Sequence, residues 1–146
     1  MRILVDGDGC PARSIIEKVA IKYKLSLIIF CDINHILKSD YAMIKYVDHG
    51  FQSVDMVIAN ECKREDIVIT QDYGVAAMVL GKKARAISPK GKVYNDSNIE
   101  QMLLERHINS KLRRAGLKTS KHKKRSLEDD KRLEGNLIKI IEELMN

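Results

Sequence analysis

The sequence predicts an α/β domain built on a mostly parallel sheet, and three observations carry that prediction. Continuous apolar runs at 3–5, 25–31 and 67–70 have the length and character of strands buried on both faces. Stretches of helical period separate them, so strand and helix alternate as they do in right-handed βαβ units. The carboxylates Asp6, Asp8 and Asp72 stand just beyond two of these runs, at the carboxyl edge where open parallel sheets place their ligand crevice.

Each element has its own justification. Pro11 opens a helix over 11–24, where a first-turn proline belongs, with Ile15, Ile16, Val19, Ala20 and Tyr23 at helical spacing. The run 25–31 is the second strand and ends at Asp32; polar, irregular chain follows to Asp40, and 44–47 makes a short edge strand before the His49-Gly50 turn. Val54, Val57, Ile58 and Cys62 mark another helix, with Ser53 or Asp55 at its start. After the strand 67–70, Asp72 is placed to cap a helix over 73–80 that turns Val75, Ala76, Val79 and Leu80 inward and is closed by Gly81. A strand at 84–87 leads to Ser88-Pro89-Lys90-Gly91-Lys92, which reads as a plain loop or as amides and two lysines offered to a phosphate. A long helix follows over 96–115.

The chain then divides. A domain over 1–115 is followed by a basic, flexible linker over 116–125 and a helix over 126–146 that packs on the domain. Leu133, Leu137, Ile138, Ile141 and Leu144 supply that helix with an apolar stripe. The stripe would serve a partner chain equally well, so oligomeric state stays open.

Bulk properties exclude several classes. With 146 residues, 45% of them hydrophobic, the chain can bury a normal core and is not a disordered protein. No apolar run approaches the ~20 residues of a membrane span, and the chain starts directly on a strand, so a cytoplasmic protein without membrane contact is expected. Cys10, Cys31 and Cys62 show no metal-ligand pairing and read as reduced thiols; His35, His49, His107 and His122 are equally scattered, which argues against zinc. The net charge of +6 is uneven: residues 1–105 balance 14 basic against 14 acidic side chains, whereas 106–146 carry 12 against 6. Such asymmetry points to a polyanionic partner, nucleic acid first, or to a merely solvated basic surface. Aromatic residues are only 5%, with no Trp, so base stacking is poorly supplied.

The aspartates carry the chemistry. Hard cations such as Mg²⁺ or Mn²⁺ take oxygen ligands and keep several waters, which one to three strand-end carboxylates suit. Crowded carboxylates without a cation repel one another. The competing reading is structural: Asp6 and Asp8 shape a turn and cap a helix, Asp72 is an N-cap, and Asp55 caps its own helix. Convergence of two strand ends favours the metal site. Cys10 sits at a helix start, which lowers a thiol pKa, but Asp8 beside it opposes thiolate formation.

One stretch is more specific. V-D-G-D-G-C-P over 5–11 resembles the V-D-A-D-A-C-P opening of the YaiI/YqxD family of uncharacterised bacterial proteins. The resemblance continues through Gly50-Phe51, Val54-Asp55, D-I-V-I-T-Q-D over 66–72, Ala76-Ala77, Asn98-Ile99, Arg106 and L-R-x-x-G over 112–116, nearly the whole chain. Gly7 and Gly9 replace alanines, which loosens the pocket backbone, and the linker is more basic than the glycine-rich segment expected. That family is similar to PIN-like domains. The resemblance implies a three-layer α/β/α fold, a C-terminal helical extension and an acidic pocket of Asp6, Asp8, Asp55 and Asp72 holding Mg²⁺ or Mn²⁺. It also implies metal-activated cleavage of RNA rather than DNA, with Asp6, Asp8 and Asp72 catalytic. Arg106, Arg113, Lys121, Lys123, Lys124 and Arg125 are the expected phosphate contacts. The alternative is a non-catalytic binding module for nucleic acid or protein. A haloacid-dehalogenase-type phosphatase also opens on D-x-D, but Cys10 stands where Thr or Val is expected and no later paired acidic motif follows a strand.

Overall fold

Ile3, Leu4 and Val5 are fully buried, which is possible only for a strand covered on both faces. They form the middle of β1 (Arg2–Asp6), the strand on which the sheet is built. The computed structural model describes residues 1–7, 10–34, 36–48, 53–117 and 124–146. In chain order the elements after β1 are α1 (Arg13–Lys22), β2 (Ser26–Asp32), β3 (Met43–Val47), α2 (Val54–Glu61) and β4 (Ile67–Ile69). They continue with α3 (Tyr73–Gly81), β5 (Arg85–Ile87), β6 (Val93–Tyr94), α4 (Ile99–Arg114) and α5 (Leu127–Met145).

The sheet order is β3-β2-β1-β4-β5-β6. Every pairing is parallel except β5 with β6, so the fold is α/β with a mostly parallel sheet. Alternation along the strands sorts the core into two faces. Ile3, Val5, Leu27, Ile29, Ile67, Ile69 and Ile87 meet α1 and α5 on one side. Leu4, Ile28, Phe30, Val68 and Ala86 meet α2, α3 and α4 on the other. Helices therefore cover both faces, giving three layers. From β1 the chain moves outward to β2 and β3, then returns to place β4 on the opposite flank of β1. This reversal between β1 and β4 is the topological switch point at which such sheets open a crevice.

Several boundaries differ from the sequence expectation for local reasons. Pro11 and Ala12 form a turn ahead of α1, so the helix begins at Arg13. Gly81 lies inside α3; the chain leaves the helix through Lys83, at φ 66. The helix expected from residue 96 begins at Ile99, because Asn95 and Asn98 bond each other's backbone reciprocally and hold a turn there. The two-residue strand β6 carries no local signal and was not expected.

Helix α5 packs against α1 and β5, with Leu133, Leu137, Ile140 and Ile141 buried in the first core. Its start is a capping box: Ser126 accepts from the Asp129 amide and Asp129 accepts from the Ser126 amide. The Ser88 to Lys92 turn is the platform beneath it. The Pro89, Lys90 and Gly91 carbonyls accept bonds from Arg125, Arg132 and Asn136. Three of the turn's amides are spent as well: Ser88 donates to the Lys92 carbonyl, Gly91 to the Ser88 carbonyl and Lys92 to the Ser88 hydroxyl. The phosphate-cradle reading of this turn therefore loses to the plain-loop reading. Among the described residues no helix is long and apolar enough to cross a membrane.

Candidate functional site

Asp6 is the last residue of β1, one step beyond the register pair Val5–Ile69. Parallel pairing thus sets it beside Thr70, at the start of the turn into α3. Thr70 is almost fully buried, and each of its polar groups is used. Its amide donates to the Ile87 carbonyl, its carbonyl accepts from the Tyr94 hydroxyl at 3.1 Å, and its hydroxyl oxygen accepts from the Asp72 amide at 3.0 Å. The turn is thereby held from three sides. Asp72 then caps α3, accepting from the Val75 amide at 3.1 Å through Oδ1. Both sequence readings of Asp72 are compatible, because one carboxylate oxygen caps the helix while its side chain stays 28% exposed.

Asp55 arrives from a third element. Ser53, not Asp55, caps α2, accepting from the Met56 amide, and this leaves the Asp55 carboxyl available in the first turn. That carboxyl lies within hydrogen-bonding reach of both Asp6 and Asp72. Burial, and next the Asp72 charge, push its pKa above the ordinary carboxylate value, with Arg106 acting in the opposite sense. Arg106 reaches over from α4, with Nη1 3.6 Å from Asp72 Oδ1. Behind the turn, Tyr73 and Tyr94 meet edge to face with centroids 5.8 Å apart, and burial keeps the Tyr94 phenol protonated, its pKa well above the usual value.

Asp6, Asp55, Asp72 and Arg106 are thus brought together at the switch point. Asp8, Lys121 and Lys123 lie outside the described residues. Arg113 is exposed two turns along α4 from Arg106, about 10 Å on, and Lys124 is exposed. Arg125 is no loose linker side chain: Nε donates to Asp130 Oδ1 and Nη1 to the Pro89 carbonyl, both at 2.6 Å.

A hard divalent cation finds the right donors here in kind, three carboxyls crowded closely enough to disfavour full ionisation. Their present disposition is not a closed cage. Among the described residues no three His, Cys, Asp or Glu side chains surround a common point. Cys10 is no ready nucleophile, since burial raises its thiol pKa against the opposing effect of the Ala12 amide and of Arg125 and Arg13. Gly7 is not slack in the pocket wall. A Cβ there would stand 2.7 Å from Ile29 Cγ2 and 2.9 Å from the Phe30 carbonyl oxygen. Sequence reasoning missed the roles of Thr70 and Tyr94; for Thr70 the T-x-D spacing is a usable signal of a hydroxyl bonding the backbone two residues on.

Comparison with known proteins agrees with the motifs. The family model described as "Uncharacterized BCR, YaiI/YqxD family" matches residues 4–143. A UPF0178 protein of Clostridium novyi is 60% identical over 141 residues, 97% of this chain and 95% of that one. UPF0178 proteins of Clostridium kluyveri and Clostridium acetobutylicum are 59% and 49% identical, each over 97% of this chain and over 93% and 97% of theirs. No solved structure matches.

Proposed function

The chain belongs to the YaiI/YqxD family, and from the pocket at its switch point we propose that it is a divalent-metal-dependent phosphodiesterase acting on nucleic acid, RNA before DNA. The observation that carries this reading is the meeting of Asp6, Asp55 and Asp72, delivered by the ends of β1 and β4 and the first turn of α2. Mg²⁺ or Mn²⁺ held there would supply a polarised phosphoryl oxygen and an activated water. Asp6 and Asp72 would be the principal ligands, with Asp55 beside them and Asp8 the further aspartate on the same segment. Arg106, which pairs with Asp72, would be placed to hold a substrate phosphate beside the cation. Arg113, on the same face two turns on, extends that contact along a strand. The basic excess after residue 105 supports a polyanionic substrate.

The Arg106–Asp72 pair and the open disposition of the carboxyls favour a second reading, a binding module without catalysis. Calorimetric titration of Mn²⁺ into the metal-free chain, beside the Asp6→Asn/Asp72→Asn double variant, separates the two. The phosphodiesterase reading expects saturable binding by the wild type, lost in the variant, and Mn²⁺-dependent cleavage of single-stranded RNA. A folded wild type that binds no Mn²⁺ refutes it and leaves the binding module.

A further inference from the structure

Helix α4 is anchored at one end. Ile99 and Met102, in its first turn, are buried with α3 in the second core, and no residue from Leu103 to Arg114 is buried. The helix is 16 residues long, about 24 Å, so most of that length has little packing to hold it. Its sequence does not make up the difference. His107, Ile108, Asn109 and Ser110 are middling helix formers, and a helix this short is marginal without a packed face. What it offers instead is an apolar row. Leu104, Ile108 and Leu112 stand at i, i+4 and i+8, on the side of the helix turned away from Ile99, Met102 and Arg106. Leu104 is 57% and Ile108 46% exposed. A Schellman turn at Gly116, φ 78, returns the Leu117 amide to the Leu112 carbonyl at 2.9 Å and sets a further exposed leucine at the end of the row. The stripe of α5, by contrast, is spent in its own core.

We propose that this face of α4 pairs with the same face of a second copy of the chain, antiparallel, in a two-fold dimer centred on Ile108. The charge order of the helix selects that occupant. Glu100 and Glu105 lie in its first half, and Lys111, Arg113 and Arg114 in its last turn. Antiparallel pairing sets the acidic half of each helix along the basic half of the other, twice by symmetry, with Glu100 and Arg114 meeting across the pair in both directions. A parallel pair would set like charge beside like and align the two dipoles. Ile108 meets its own copy on the axis, Leu104 meets Leu112, and rows at this spacing pack into the grooves of a facing helix. A nucleic-acid strand suits the face poorly, because aliphatic side chains and Glu105 occupy it. Arg106 and Arg113 lie on the other side of α4, where Arg106 approaches Asp72, so pairing leaves the acidic pocket open and does not rest on the phosphodiesterase reading. A single helix pair falls below the ~1,200 Å² of standard interfaces, which makes the dimer weak and reversible, with a dissociation constant of about 10–100 µM.

The test is sedimentation velocity of the full chain in EDTA over about 1–300 µM, where the wild type is expected to pass from monomer to dimer. Ile108→Glu brings two carboxylates together on the axis and is expected to weaken the dimer about tenfold or more. Its Tm at ~1 µM, where the wild type is monomeric, should be unchanged, because the position is exposed. Glu100→Lys and Arg114→Glu should each weaken the dimer, and the two combined should restore it to within about threefold of the wild type. Should Ile108→Glu lower Tm, these charge reversals decide the matter by themselves. The Asp6→Asn/Asp72→Asn variant is expected to dimerise as the wild type does, so failure of the metal reading leaves the outcome unaffected. A wild type that stays monomeric at every concentration overturns the proposal and leaves the face to a different protein. A dimer that survives a folded Ile108→Glu overturns it too, and a combined charge reversal no stronger than either single one overturns the antiparallel pairing.

Discussion

Asp55 shows how one cap decides the chemistry of a neighbour. Because the Ser53 hydroxyl satisfies the Met56 amide, the Asp55 carboxyl is not drawn back onto its own helix and instead stands between Asp6 and Asp72. Burial and the Asp72 charge raise its pKa in the folded chain above that of the unfolded chain. The sign follows from linkage. Protonated Asp55 favours the fold below the ordinary carboxylate value, and that contribution is lost as pH rises through the raised, folded value. Asp55→Asn is always neutral, so in EDTA it should melt above the wild type at pH 7 and converge on it toward pH 4. Thermal denaturation at the two pH values checks this, and a gap independent of pH refutes it. Added Mn²⁺ should reverse the order at pH 7, because the cation stabilises the ionised wild-type side chain and the amide offers it far less.

At the scale of elements, the contact that sets the limits is α5 against the 88–92 turn. Gly91 has φ 90, and a Cβ there would stand 2.5 Å from the Leu133 amide nitrogen and 2.6 Å from the Arg132 carbonyl carbon. These are backbone atoms of a helix, which cannot yield as a side-chain tip would. Gly91→Ala should therefore cost at least about 2 kcal/mol. Gly135, exposed in the middle of α5 with open space around it, should gain roughly 0.5–1 kcal/mol as Ala. Urea midpoints of the two variants should move in opposite directions. Movement in the same direction would mean that α5 is not seated on the turn as described. The same pair of elements marks what was legible in the sequence. Apolar runs are local signals, so β1, β2 and β4 and the position of Asp6 and Asp72 at one edge could be read directly. The choice between Ser53 and Asp55 as cap could not, because both residue types satisfy the same amides. Nor could the destination of α5, the strand β6, or the approach of Arg125 to Cys10. Each depends on chain 35 or more residues away, or on a pairing two residues long, and leaves no periodic trace.

For the whole molecule, the question is whether the last helix is an appendage or part of the core. Leu133, Leu137 and Ile141 are fully buried and Ile140 is 3% exposed. They cover the face of the sheet on which Ile69 and Ile87 lie, beside Ile16 and Val19 of α1. At ~1.5–3 kcal/mol for each buried aliphatic side chain, those four residues contribute roughly 6–12 kcal/mol, an upper estimate because unfolded chains already bury some surface. A domain of this kind has only about 5–15 kcal/mol in total. A chain ending at residue 117 should thus lose most or all of its stability, although it retains every strand and the Asp6, Asp55 and Asp72 carboxyls. Chemical denaturation and binding of a hydrophobic dye test this. The shortened chain should bind dye and show no cooperative transition. Adding a peptide spanning 124–146 in trans should restore the transition, since the apolar stripe and the Arg125, Arg132 and Asn136 anchors all lie within it. A shortened chain that unfolds cooperatively near the wild-type midpoint would make α5 an accessory.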